Sequence, residues 1–333
     1  MRQKTKIAIN GFGRIGRAAL RIALTHAEVE VAAINDPGDT ATLAHLIKYD
    51  SVYGVLAHSL KVDGDNLIID GKTIVVTHDR EPENLPWGGL GVEVVLECTG
   101  AFKTYDEAAR HLKAGAKKVV ISAPSKDDQV KTFLFGTNHK DYNGEVVISM
   151  GSCTTNCIAP VMKVMGDVFG VEKSLMTTIH AYTSTQNLVD NKHKDLRRAR
   201  AAAINIIPAS TGAAVATTKV IPELAGHFDG MALRVPIPTG SISDIVVLTK
   251  KETTVEEVNQ ALTQAAQGDF KGIMDVTKEP LVSSDFIGNP FCSIVDLELT
   301  KVVGGNLVKI IAWYDNEWGY SSKLVDLVAL VAG

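Results

Sequence analysis

The sequence predicts an α/β protein: a doubly wound parallel sheet, followed by an α+β second domain with a largely antiparallel sheet. Three observations predict it. A short apolar run, Ile7-Ala8-Ile9-Asn10, passes at once into a glycine turn and then into helical periodicity from Arg17 to Ala27. Apolar strand-like runs then alternate with helical patterns as far as Met150, which is the signature of parallel strands joined by crossovers. Beyond Ser174 apolar runs outnumber helices, as in an antiparallel sheet with one helical face. The chain has 333 residues, which favours two domains.

Composition narrows the class. The chain is 45% hydrophobic and 22% charged, enough apolar material for a large core. Its formal net charge of -4 gives no bulk attraction for nucleic acid or an anionic membrane. Cys98, Cys153, Cys157 and Cys292 are too few and scattered for a disulfide framework, and suit a reducing compartment. Neither a signal-peptide pattern nor a bilayer-length apolar run is visible, so the expectation is a cytoplasmic protein.

The first strand and helix enclose Gly11-Phe12-Gly13-Arg14-Ile15-Gly16. A second strand, Val29 to Ile34, ends at Asn35-Asp36. Strand, glycine turn, helix, strand and an acidic residue about 20 positions on make the dinucleotide-binding context of a Rossmann-type sheet. Gly11 suits the tight turn, Gly13 the close approach of a pyrophosphate, and Gly16 the packing of helix on strand. Asp36 would accept from the adenosine ribose hydroxyls and repel a 2′-phosphate, so NAD is expected over NADP. Arg14 either reaches a phosphate or is a solvated turn residue. Leu60 to Val76 reads as short antiparallel pieces with turns at Asp63-Gly64-Asp65 and Asp70-Gly71-Lys72. Arg80 lies in a polar loop, and Thr99 and Ser122 fall at strand C-terminal ends, the ligand-bearing edge of such sheets. Their hydroxyls could equally cap helices or turns.

The chemistry is expected at Ser152-Cys153-Thr154-Thr155-Asn156-Cys157. This stretch follows the strand Glu145 to Ser149 and leads into a helix through Phe169. A cysteine at a helix start faces unpaired N–H groups and partial positive charge, which favours thiolate. Cys153 is therefore a candidate nucleophile, and His180, near the end of the strand Ser174 to Tyr182, a candidate base. Cys157, four residues on, reads as a buried structural thiol. Arg234 lies inside an apolar strand, Met231 to Val235, where a guanidinium is costly unless paired or facing a ligand.

Five stretches carry a resemblance that covers essentially the whole chain, in order. They are Ile9-Asn10-Gly11-Phe12-Gly13-Arg14-Ile15-Gly16, the Ser152 to Cys157 stretch, Thr178-Ile179-His180-Ala181-Tyr182-Thr183, Asp195-Leu196-Arg197-Arg198-Ala199-Arg200 and Trp313-Tyr314-Asp315-Asn316-Glu317-Trp318-Gly319-Tyr320. Together they resemble the phosphorylating glyceraldehyde-3-phosphate dehydrogenases. The resemblance implies an NAD-binding domain over 1–151, joined by a C-terminal helix 317–333, and a catalytic domain over 152–316. It implies a hemithioacetal and then a thioester on Cys153, with His180 as base. Gly11, Phe12, Gly13, Arg14, Ile15, Gly16, Asp36, Arg80, Thr99, Ser122, Asn316 and Tyr320 would bind NAD. Thr183 and Arg234 would hold the substrate phosphate, and Ser152, Thr154, Thr211 and Gly212 the attacking inorganic phosphate. Ser210-Thr211-Gly212 also reads as a helix cap. No metal is expected. The basic segment Thr185 to Ile204 resembles a loop that packs across subunits, and a homotetramer is expected.

The chain departs from the commonest family sequence at Met150-Gly151, Val215 and Ile237 to Ser241, none of which removes a proposed catalytic group. Pro37 and Asn191-Lys192 bear on the cofactor: an ammonium at Lys192 could offset the repulsion between Asp36 and a 2′-phosphate, so NADP would be tolerated. Erythrose-4-phosphate dehydrogenase is the nearest rival reading, and a non-catalytic binding role on the same scaffold is the second.

Overall fold

The computed structural model describes residues 4–125 and 127–332. The first three positions and position 333, which the expected domain bounds include, lie outside the described residues. The chain forms two compact units. One comprises Met1–Phe133, Asp141–Gly151 and Ser321–Gly333; the other comprises Leu134–Lys140 and Ser152–Tyr320. The short segment Leu134–Lys140 joins the second unit because Gly136 lies directly against the Phe270 ring.

In the first unit a nine-stranded sheet is built around the strand Thr5–Asn10. It pairs in parallel with Val29–Asn35 on one side and Val94–Glu97 on the other. Ile7 and Ile9 are fully buried, as expected where helices cover both faces. Beyond Val94–Glu97 the parallel order continues through Lys118–Ile121, Val147–Ser149 and Lys131–Thr132. Beyond Val29–Asn35 comes Lys72–Thr77, also parallel, and then the antiparallel hairpin Asn66–Ile69 with Leu60–Asp63. The helical pattern Tyr105 to Ala114 forms as two short helices, Tyr105–Ala108 and Arg110–Lys113, joined at Ala109. The crossovers leave in opposite directions from the first strand, which opens a crevice at its C-terminal end.

In the second unit eight strands form a mixed, largely antiparallel sheet. At its centre Val171–Ala181 pairs in parallel with Phe228–Val235 and antiparallel with Ser241–Thr249, which in turn pairs with Leu307–Tyr314. Burial alternates strictly along Ser241–Thr249, the period-2 mark of a strand covered on one face. The cover is the helix Cys153–Phe169, which touches four of these strands and the helices Ala213–Val220 and Val255–Gln267. Ile158, Val161, Met162 and Met165 of this helix are fully buried, each worth roughly 1.5–3 kcal/mol of transfer free energy. Cys157 is buried among them and its thiol is pushed up to about 12, so it is inert. Among the described residues no helix is long and apolar enough to cross a membrane.

Candidate active site

Ser152 caps the helix that begins at Cys153: its Oγ accepts from Thr155 N at 3.0 Å. Cys153 is thereby fixed in the first turn, where N–H groups lack helical partners. The central sheet supplies its neighbours. His180 is the penultimate residue of Val171–Ala181, and parallel register sets it directly beside Arg234. Cys153 Sγ lies 3.4 Å from His180 Nε2. On the far side of the ring, Nδ1 lies 2.7 Å from Ala181 O and 2.7 Å from Arg234 Nη1. Residues 27 and 54 positions apart in the chain are thus brought together by one strand register and one helix cap.

Electrostatics at this cluster differ from the expectation. Enclosure raises the Cys153 thiol above its ordinary value, while the charge of Arg234 and the hydroxyl and N–H of Thr154 pull the other way. The helix start alone does not make a thiolate, because desolvation outweighs it. Burial, and after it the charge of Arg234, hold His180 down at about 3. Burial thus works against both charged forms, the thiolate and the imidazolium.

Thr154 is buried, and its Oγ1 lies 3.0 Å from Tyr314 OH, which also meets Thr178 Oγ1 at 2.8 Å. Tyr314 is almost fully buried with its ring edge-on to His180. This clamp of helix to sheet was not foreseen; strand alternation could have put Tyr314 on the helix side, but not named its partners. Arg198 is a second residue that sequence reasoning missed. Its Nη2 donates to Ser210 O at 3.0 Å and its Nη1 to Thr185 Oγ1 at 3.3 Å, and Thr185 Oγ1 lies 2.8 Å from Thr183 Oγ1. One guanidinium thus links the two loops expected to carry the anion sites. Thr211 Oγ1 accepts from Ala213 N at 3.2 Å, and Gly212 is the cap of the following helix. Asn316 Oδ1 accepts from Ser241 Oγ at 2.9 Å, and Ser241 Oγ accepts from Ala181 N at 3.1 Å. That chain orients the Asn316 amide with its Nδ2 as the donor end. Tyr320 is buried in the helix that follows.

The first unit holds the second candidate site. Gly11 has φ 92°, and a Cβ there would come within 2.6 Å of Thr99 N. A Cβ on Gly16 would collide with the Gly11 carbonyl oxygen. Gly13 is different: a Cβ on it would meet no protein atom within 4 Å. Protein packing thus accounts for two of the glycines, and the third fits close approach by a ligand. Beside the turn is a cleft of about 290 Å³ lined by Gly11, Asp36, Arg80, Thr99 and Phe102 among others. Asp36 Oδ2 accepts from Phe12 N at 2.8 Å and Oδ1 from Gly38 N at 2.9 Å, which holds the carboxylate at the cleft wall. Arg14 Nη1 lies 2.5 Å from Asp50 Oδ2, so its guanidinium is engaged within the protein. Ile15 and Ser122 sit at the start of the helix and the end of a strand respectively.

A buried polar network stands under this cleft. Trp87 Nε1 donates to His111 Nδ1 at 3.0 Å, so the proton of the neutral ring is on Nε2, 3.1 Å from Glu97 Oε2. Asn10 Nδ2 donates to the same oxygen at 2.6 Å, and Thr99 N donates to Glu97 Oε1 at 2.8 Å. Asn35 Nδ2 continues the network to Asn10 Oδ1 at 2.7 Å and to Asp79 O at 2.8 Å. Four donors thereby satisfy a carboxylate that would otherwise be costly to bury, counting the Thr99 hydroxyl on Oε1. They also fix the loops that bear Arg80 and Thr99.

Both parts of the chain match known proteins. Residues 5–105 match the family model for the NAD binding domain of glyceraldehyde 3-phosphate dehydrogenase, and residues 152–316 that for its C-terminal domain. The chain is 52% identical over 329 residues to glyceraldehyde-3-phosphate dehydrogenase of Geobacillus stearothermophilus. It is 53% identical to glyceraldehyde-3-phosphate dehydrogenase 1 of Bacillus subtilis (strain 168) and 54% to the enzyme of Priestia megaterium, with 98% of each chain covered in all three cases. On these matches, which span both units, the chain belongs to the glyceraldehyde-3-phosphate dehydrogenase family.

Proposed function

We propose that this protein oxidises D-glyceraldehyde 3-phosphate to 1,3-bisphosphoglycerate with NAD+ and inorganic phosphate, through a thioester on Cys153. The observation that supports it most is the 3.4 Å approach of Cys153 Sγ to His180 Nε2. The domain assignment follows: NAD binding in 1–151 with the C-terminal helix 317–333, catalysis in 152–316. Gly13 and the cleft lined by Asp36, Arg80 and Thr99 support dinucleotide binding; Phe12, Ser122, Asn316 and Tyr320 are assigned to the same cofactor from the family resemblance.

The thiol adds to the aldehyde carbonyl to give a hemithioacetal. His180 Nε2 takes the hydroxyl proton as the carbonyl reforms. NAD+, when bound, supplies the hydride acceptor. Protonated His180 then donates to the thioester oxygen, stabilising the charge that develops when phosphate attacks. Arg234 and Thr183 hold the substrate phosphate. Ser152, Thr154, Thr211 and Gly212 hold the attacking one, and Arg198 adds a guanidinium to the loops between them. The test is NADH formation from glyceraldehyde 3-phosphate in wild type and Cys153→Ser. The wild type should turn over only with phosphate and the variant not at all. Rapid phosphate-independent turnover of erythrose 4-phosphate would instead favour the sister activity.

Leu188, Val189, Leu196 and Ile204 are all exposed along the segment expected to pack between subunits. That much apolar surface on one loop supports self-association as a homotetramer. A cytoplasmic location is part of the same proposal. Lys192 is exposed in this loop. If its ammonium offsets Asp36 in the assembly, Lys192→Ala should lower the NADP:NAD ratio of kcat/KM by roughly two- to ten-fold. An unchanged ratio, measured with both cofactors, removes that role.

A further inference from the structure

Glu97, Asn10, Asn35 and Thr77 each end a strand of the parallel sheet and stand side by side along its C-terminal edge. Parallel register sets Asn10 opposite Glu97 on one side and Asn35 on the other, with Thr77 opposite Asn35. Asn10, Asn35 and Glu97 are buried. The chain then leaves each strand straight into the cleft, whose lining includes Gly11, Asp36, Asp79, Arg80 and Thr99. The row is therefore the floor of that cleft, just below its walls.

Hydrogen bonds run along the row in one direction. Thr77 Oγ1 and Asp79 N donate to Asn35 Oδ1 at 2.9 and 3.1 Å. Asn35 Nδ2 donates to Asn10 Oδ1, and Asn10 Nδ2 to Glu97 Oε2. From the other side Trp87 donates to His111, and His111 to the same oxygen. Every one of these bonds leads toward Glu97, whose carboxylate can only accept, so it decides which way each amide faces. Turned over, Asn10 would set Oδ1 against Glu97 Oε2, acceptor on acceptor. Asn35 would have to follow, and would then present its Nδ2 to the Asp79 N–H. The second carboxylate oxygen holds the other wall: Thr99 N donates to Oε1 at 2.8 Å, as does Thr99 Oγ1, which in turn accepts from Ala101 N at 3.0 Å.

We propose that Glu97 is a positioning residue for the cofactor: through the row of amides it sets the loop that carries Arg80, and through Thr99 the wall at the other end, so it governs affinity for the adenosine half of NAD without touching it. This goes beyond the proposed reaction and rests on the placement of the adenosine half in this cleft. The competing account is a network that serves stability alone.

The geometry supplies an exchange that separates the two. Glu97→Gln keeps the shape but offers one acceptor. With that oxygen on Thr99, its amide nitrogen meets Asn10 Nδ2 and His111 Nε2, donor against donor. Asn10→Asp alone sets carboxylate against carboxylate. Combined, the two changes swap roles. The new amide donates to the new carboxylate, which still accepts from Asn35 Nδ2, and the atom it replaces lies 3.3 Å from His111 Nε2.

The probe is ADP-ribose, the cofactor without its nicotinamide, titrated calorimetrically below the melting temperature of every variant. Each single substitution should raise its Kd by about ten-fold. The double variant should return it to within about three-fold of wild type. In turnover the loss should appear in KM for NAD+ and not in kcat. Single variants that melt lower yet bind ADP-ribose as wild type does overturn the proposal, and so does a double variant that recovers nothing. Should Glu97→Gln not fold, Glu97→Asp serves. Its carboxylate keeps the charge but is one carbon too short to span from Asn10 to Thr99, so ADP-ribose should bind about three-fold more weakly or worse. Wild-type affinity in that variant overturns the proposal as well. A wrong placement of the adenosine half shows separately, as an Asp36→Ala variant whose ADP-ribose affinity is unchanged.

Discussion

Replacing His180 with asparagine is expected to reduce the single-turnover rate of NADH formation by about 10²- to 10⁴-fold, the range for loss of a positioned general base. The amide still fills the space and offers Arg234 an acceptor, so the strand register beside Phe228–Val235 should persist. Affinity for NAD, which the other unit binds, should be unchanged. The loss should fall in kcat with little change in KM for the aldehyde, because proton transfer belongs to the transition state. Hydride transfer at the wild-type rate in this variant would mean that another group takes the proton.

The second large effect is expected at the glycine turn, where three similar substitutions should behave in different ways. Gly16→Ala places a methyl group on the Gly11 carbonyl oxygen, backbone that cannot give way. Gly11→Ala adds a positive φ to a 2.6 Å approach to Thr99 N. Each should cost about 1–3 kcal/mol or more of stability, seen as a lower melting temperature. Gly13→Ala meets no protein atom within 4 Å, so its melting temperature should match wild type. Its NAD affinity should nevertheless fall by about ten-fold or more, since the methyl group occupies the space offered to the pyrophosphate. Calorimetric titration with NAD, beside thermal melts, separates the two effects. A Gly13→Ala protein that binds NAD normally would remove the turn from the cofactor site.

The fold was legible where local pattern and tertiary packing agree. The run Ile7 to Asn10, the turn and the helix behind it form as their periodicity predicts, and the hairpin Leu60–Asp63 with Asn66–Ile69 extends the parallel sheet as its turns predict. A helix starting at the Cys153 stretch and running through Phe169 was legible, and it forms with Ser152 as its cap. What stayed hidden depends on distant registers. Trp87, His111, Glu97 and Asn10 make one network although they come from four separate elements, and none of their contacts lies within a single helix or strand. Tyr314 and Thr154 are 160 positions apart. The surroundings of Cys153 stayed hidden for a related reason. A helix start is visible in sequence, but the enclosure that raises the thiol is made by side chains from the sheet.

The central claim is that oxidation and phosphorolysis are separate steps joined by a thioester on Cys153. Wild-type protein mixed with NAD+ and glyceraldehyde 3-phosphate, with inorganic phosphate withheld, tests it most directly. The account predicts a burst of NADH equal to the number of sites, then near-arrest, with the glyceroyl 3-phosphate mass found on the Cys153 peptide and released by added phosphate. Sustained turnover without phosphate, or a burst that leaves Cys153 unmodified, would contradict it.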